Sequence, residues 1–156
     1  MKERIQTLRA DIQADLQAIA EIYAALARHR MDLSDEDEAI VVAYYLHNLY
    51  CAFESIFQRI AEVFGNQVSE RSGWHAALLR RMTLDIHDLR PRVIRDSTHD
   101  CLDELRRFRH LFRGGYRLHL DLERLALVRA RAARLQDLYR ADIGQFMAFL
   151  DDLLSD

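Results

Sequence analysis

The chain has 156 residues, half of them apolar, with one proline, five glycines and a formal net charge of −3. That length buries a core unaided, and so little proline and glycine points to a mostly helical protein rather than a disordered or all-β one. The slight acidity excludes a generally basic nucleic-acid coat, so any nucleic-acid site must be local.

Ile5, Ile12, Ile19 and Leu26 recur every seven residues, with Leu8, Leu16 and Tyr23 between them. This is the stripe of an amphipathic first helix, packed within an antiparallel bundle or paired as a coiled coil. A break is expected from Arg30 to Asp37, where Ser34 or Asp35 can cap the next helix and Glu36 and Asp37 favour its positive end. The second helix, roughly Asp37 to Phe64, is apolar almost all round, which places it at the bundle centre, at a subunit interface, or both. On it His47, Asn48 and Glu54 are polar. Either they are edge or satisfied core groups, or one of them stands beside an arginine site and orients a guanidinium.

Gly65-Asn66 stops that helix, and Ser72 or Gly73 begins a shorter one through Met82, with Trp74, Leu78 and Met82 as its buried stripe. Ile86 to Asp96 holds the only proline; Pro91 removes an amide donor and disfavours a helical Arg90, so a loop or kinked connection is expected. Arg90, Arg92 and Arg95 in it either extend a basic surface or lie in a solvated connection. Ser97, Thr98 or Asp100 can cap the next helix, and Asp121 or Asp137 can begin later ones. Leu122, Leu125 and Val128, then Leu135, Tyr139, Phe146, Phe149, Leu150 and Leu153, keep helical spacing, so the last segment packs back on the bundle. With no internal repeat, low-complexity tract or linker, residues 1–156 are expected to form a single helical domain.

Cys51 and Cys101 have no spacing typical of zinc and read as buried thiols in a reducing cytosol. The start, MKERIQTLRAD, lacks an apolar leader, and the longest apolar run, Ala39 to Leu46, is too short to span a bilayer. A cytoplasmic protein without a membrane partner is expected, and neither a metal nor another cofactor.

The stretch with the most distinctive chemistry is CLDELRRFRHLFRGGY, Cys101 to Tyr116. On a helix, Cys101, Leu105, Phe108 and Phe112 share one face, and Arg106, Arg109 and Arg113 form a basic row beside it. No acid follows Glu104 before Arg117, so this charge is poorly neutralised locally. Lys2 is the only lysine in the chain; arginine suits bidentate phosphate contacts, although compositional bias also accounts for its excess. Gly114-Gly115 ends the helix, since glycine takes the left-handed dihedrals of a C-terminal stop cheaply.

This stretch resembles the active-site segment of the HepT-like ribonuclease toxins of the HEPN superfamily, whose motif is Arg, four residues, His, one residue, Tyr. Arg109 and Tyr116 match it, and Gly114 stands at the histidine position. LHNLYCAFESIFQRIAEVF (Leu46 to Phe64), WHAALLRRM (Trp74 to Met82) and LRPRVI (Leu89 to Ile94) resemble further segments of the family in the same order. The resemblance implies an all-α, HEPN-type antiparallel helical bundle with an additional short helix. It also implies the toxin subunit of a type VII toxin–antitoxin pair and a metal-independent endoribonuclease that works as a homodimer. Its implied partners are RNA and a cognate minimal nucleotidyltransferase antitoxin that transfers AMP onto Tyr116. In that setting Arg109 stabilises phosphorane charge, and Arg106 and Arg113 bind RNA.

Gly114 has no titratable group, so it is neither base nor acid. Either the copy is inactive or weakened, since losing a proton-transfer group commonly costs about 10²–10⁴-fold, or His110 or His119 substitutes. On an unbroken helix positions 109 and 114 stand about 140° apart, so they converge only if the helix ends between them or a partner subunit completes the site. The competing function is a non-catalytic HEPN module that docks a nucleotidyltransferase or a nucleotide through the same arginines. Independently, Tyr116 is either the AMP acceptor or a half-buried aromatic fastening the turn.

Overall fold

Among the described residues, apolar positions spaced three and four apart close into five helices packed on one another in a computed structural model. It describes residues 1–29, 35–65, 69, 71–114 and 120–156, with the side chains of 111–114 left aside. The helices are α1 (Lys2–Arg28), α2 (Glu36–Val63), α3 (Trp74–Arg81), α4 (Asp96–Gly114) and α5 (Leu122–Ser155). No strand occurs among the described residues; the one extended pairing there is the isolated bridge between Ile86 and Arg90. The architecture is the expected all-α, HEPN-type bundle with its additional short helix, α3.

α1 buries Ile5, Leu8, Ile12, Ile19, Tyr23 and Leu26 against α2 and α5. Its stripe therefore packs inside the chain's own bundle. Arg129 of α5 covers the end of α1 by donating Nη2 to the carbonyls of Leu26 and His29, at 2.9 and 2.5 Å. The Leu26 carbonyl also accepts the His29 amide at 3.1 Å, and the guanidinium adds a charged donor to these helix-end carbonyls. Tyr23 stacks on Tyr139 at 5.9 Å and donates its hydroxyl to the Ala132 carbonyl at 2.7 Å, tying α1 to α5 a second time.

α2 is capped by Asp35, whose side chain accepts from the Glu38 amide at 3.2 Å. Its central residues Leu46, Leu49, Tyr50, Phe53, Phe57 and Ile60 are buried, and α1, α3, α4 and α5 all pack on it. By length and composition the helix could cross a bilayer, and half of its most apolar window is buried in the bundle. Its apolarity is explained by that central place, except at Ile40 and Tyr44, which are exposed one turn apart near its start.

α3 follows Gly73, whose φ of 83° suits glycine. Leu78, Leu79 and Met82 are buried, and Trp74 is half-buried. The Met82 carbonyl then accepts from the amides of both Val93 and Ile94, so the proline-containing connection folds back against the end of α3. Arg90 is neither surface nor loop decoration: it is 3% exposed and donates to the carbonyls of Arg81, Leu84 and Pro91. Burial lowers the pKa of this guanidinium. It replaces the sheet or helix partners that a short irregular segment lacks.

α4 begins at Asp96, ahead of Ser97, Thr98 and Asp100, because its acceptor comes from elsewhere. Asp142 on α5 accepts from the Arg95 amide at 3.1 Å, from the Arg95 guanidinium at 2.6 Å and from the Thr98 hydroxyl. Arg95 is thus committed to the fold and not to a free basic surface. α5 starts at Asp121, which accepts from the amides of Glu123 and Arg124. Asp137 lies inside it, since the buried stripe Leu125, Val128, Ala132, Leu135, Tyr139, Ile143, Phe146 and Leu150 runs on without a break.

Candidate functional site on helix α4

On α4, Cys101, Leu102, Leu105 and Phe108 are buried, and burial raises the Cys101 thiol pKa. Arg106 and Arg109 flank this face and are half-buried, while Arg107 and His110 are exposed. His110 follows Arg109 directly, so it leaves the helix about 100° further round.

The basic row is better neutralised than its downstream sequence suggests. Arg106 Nε donates to Asp103 Oδ1 at 2.8 Å, and Arg107 reaches the other oxygen of Asp103 at 3.0 Å. Glu104 also faces Arg107 and Arg124, at 3.8 and 3.6 Å. The acids one turn before the arginines supply the countercharge. Arg109 differs: its Nε is buried and meets no acceptor among the described residues. A buried donor left without a partner is costly, and an incoming phosphate oxygen or carboxylate would satisfy it.

α4 is helical from Asp96 through Gly114. The helix therefore does not end between Arg109 and Gly114, and within one chain the two positions diverge by about 140°. Tyr116 and His119 lie outside the described residues, as do the side chain of Arg113 and the turn beyond Gly114.

A second polar group faces α4 from α2 and α3. Glu54 is 6% exposed, and its Oε2 accepts the Tyr50 hydroxyl at 2.8 Å and lies 2.7 Å from His75 Nδ1. Glu54 is thus a satisfied core carboxylate that orients an imidazole rather than a guanidinium. The His75 ring stacks on Trp74 with centroids 3.7 Å apart. Burial, and then the neighbouring Glu54, push the Tyr50 phenol far above its ordinary pKa, while Arg106 and Arg109 act in the opposite direction. These two arginines therefore stand within electrostatic reach of the Tyr50–Glu54–His75 group. His47 Nε2 lies 3.8 Å from Cys51 Sγ on the same helix, and Asn48 is half-buried.

Sequence reasoning missed Tyr50 and His75. The signal for Tyr50 was its place one turn before Glu54; His75 sits in the WHAALL segment, but its partner is 21 residues away. Among the described residues no group of three or more His, Cys, Asp or Glu side chains is arranged to hold a metal ion.

A family model described as HepT-like protein matches residues 41–150, from α2 into α5. The bundle and its motif helix thus define a HEPN-type protein, and the chain belongs to the HepT-like family. Neither the curated proteins nor the solved structures gave a match.

Proposed function

We propose that this chain is the toxin subunit of a type VII toxin–antitoxin pair, acting in the cytoplasm, with a metal-independent endoribonuclease site weakened at Gly114. The observation that carries the reading is the family match, which runs through Arg109, Gly114 and Tyr116. In such a site the substrate's own 2′-hydroxyl attacks the adjacent phosphorus. A cation stabilises the charge that grows on the phosphorane oxygens, and a base takes the hydroxyl proton. Arg109, with its unsatisfied Nε, supplies the cation. Arg106 and Arg113 hold neighbouring RNA phosphates.

A second copy of the chain completes the cleft. The unbroken α4 favours this, since one helix cannot aim positions 109 and 114 at one phosphate. The partner antitoxin is a minimal nucleotidyltransferase that joins AMP to Tyr116, adding negative charge and bulk where RNA phosphates would dock. Native mass spectrometry tests the partners and the assembly together. The unmodified chain should run as a dimer of 18.3 kDa protomers, and incubation with the nucleotidyltransferase and ATP should add whole AMP units. Tyr116→Phe should abolish the gain. A monomer, or a Tyr116→Phe protein modified as fully as the parent, contradicts the proposal. Docking of the nucleotidyltransferase without any modification or RNA cleavage would favour a non-catalytic module, which the missing side chain at Gly114 also suits.

A further inference from the structure

Cleavage at the α4 site needs a group to take the 2′-hydroxyl proton, and position 114 has no side chain. Four described histidines set Nδ1 against a carboxylate, and only for His75 is that carboxylate buried. In the neutral imidazole, the 2.7 Å contact from His75 Nδ1 to Glu54 Oε2, an oxygen that already accepts the Tyr50 hydroxyl, favours the tautomer with its proton on Nδ1. That leaves the lone pair on Nε2 of a ring that is 28% exposed. A buried carboxylate that fixes the tautomer and direction of an imidazole is the arrangement by which histidine serves as a base in hydrolytic triads.

The ring is also fixed in space. Trp74 stacks on it, and Glu54 is itself anchored by the Tyr50 hydroxyl. The His75 side chain is 28% exposed and its carboxylate partner 8%, so the imidazole is reachable while the charge behind it is shielded. Its place beside the arginine helix follows from the packing of α3. α3 packs on both α2 and α4. The Tyr50 phenol, sharing Oε2 of Glu54 with His75, feels the charges of Arg106 and Arg109. The imidazole therefore sits on the short helix that packs against both α2 and the arginine-bearing α4.

We infer that His75, held by Glu54, is the proton acceptor of this chain's cleavage site, in the place that Gly114 leaves without a side chain. The inference rests on the ribonuclease reading above. His75 Nε2 takes the 2′-hydroxyl proton as the 2′-oxygen bonds to phosphorus. The bond from phosphorus to the 5′-oxygen breaks, and that oxygen leaves with a proton from water. The imidazolium returns its own proton to water. A 2′,3′-cyclic phosphate and a 5′-hydroxyl remain, with nothing oxidised or reduced. Glu54 is a positioning residue, acting through His75.

The test is single-turnover cleavage of 5′-labelled RNA in EDTA by the full chain. The parent should cleave slowly and leave a cyclic phosphate. His75→Ala and His75→Asn should each lose about 10²-fold in rate with little change in the RNA concentration at half-saturation. The Asn variant keeps a donor for Glu54, guarding against loss of fold. Imidazole added to the buffer should restore part of the His75→Ala rate, which a structural role would not allow. Glu54→Gln should also slow cleavage and add nothing further on top of His75→Ala. His87→Ala, whose ring is 92% exposed, should match the parent. A parent that does not cleave, a rate indifferent to His75, or a loss that imidazole cannot rescue overturns the inference. If cleavage needs Arg109 but not His75, this inference alone falls; if it needs neither, the ribonuclease reading of α4 falls with it.

Discussion

Asp142 on α5 accepts both the backbone amide of Arg95, at 3.1 Å, and its guanidinium Nε, at 2.6 Å. The start of the helix that carries Arg109 is therefore set by a carboxylate from the far end of the chain. Asp142 is 5% exposed and also takes the hydroxyl of the fully buried Thr98. Any change at Asp142 acts on both stability and the register of α4.

Asp142→Ala should destabilise the fold by about 2–4 kcal/mol, because it strands a helix-start amide and a buried hydroxyl and removes the ion partner of Arg95. The lower end applies to the ion pair, since the Arg95 side chain is 42% exposed. For a chain of this size the melting temperature should fall by roughly 5–12 °C. A thermal melt followed by circular dichroism reads it; a midpoint that does not move would show that Asp142 does not hold the start of α4.

Alkaline pH should weaken the fold through two buried phenols. Burial pushes the pKa values of both Tyr23 and Tyr50 far above the ordinary tyrosine range. The folded chain keeps these protons when the unfolded chain, ionising near pH 10, gives them up. Their contribution is thus complete below about pH 10 and is lost as pH rises further, at about 1.4 kcal/mol per pH unit for each phenol. Urea titrations between pH 9 and 11 should show this decline in a Cys101→Ala background, which removes a thiol shifted in the same direction. Tyr23→Phe/Tyr50→Phe should be less stable at pH 8 but flatter with pH. An unchanged slope would mean that neither phenol resists ionisation.

The helical periods carried most of the fold. The seven-residue spacing of Ile5, Ile12, Ile19 and Leu26 is local, and so are the Asp35 and Asp121 caps, because a cap acts within three residues. α4 is helical through Gly114, and the stop expected at Gly114-Gly115 lies outside the described residues. What escaped was non-local. Asp142 lies 47 residues from Arg95, so no local pattern marks it as the acceptor for α4. Arg90 resembles its exposed neighbours in sequence, and only the folding back of residues 82–94 shows why a guanidinium is buried there. At the candidate site Arg109 could be placed at the edge of an apolar face from spacing alone. The pairing of Glu54 with His75 could not, because it joins two helices whose relative rotation the sequence does not state.

On the proposed ribonuclease reading, α4 carries a site whose cation is present and whose motif proton-transfer group is absent. Gly114→His restores that group. Gly114 is helical, where a side chain restricts the unfolded chain more than glycine does, so a histidine there should cost about 1 kcal/mol or less, within the stability of a typical domain. The measurement is cleavage of labelled RNA in EDTA by parent, Gly114→His and Gly114→His/Arg109→Ala. The prediction is a gain of about 10²-fold or more in Gly114→His, a 2′,3′-cyclic phosphate product, and loss of the gain when Arg109 is removed. A parent as fast as Gly114→His, or a gain that survives Arg109→Ala, would contradict it.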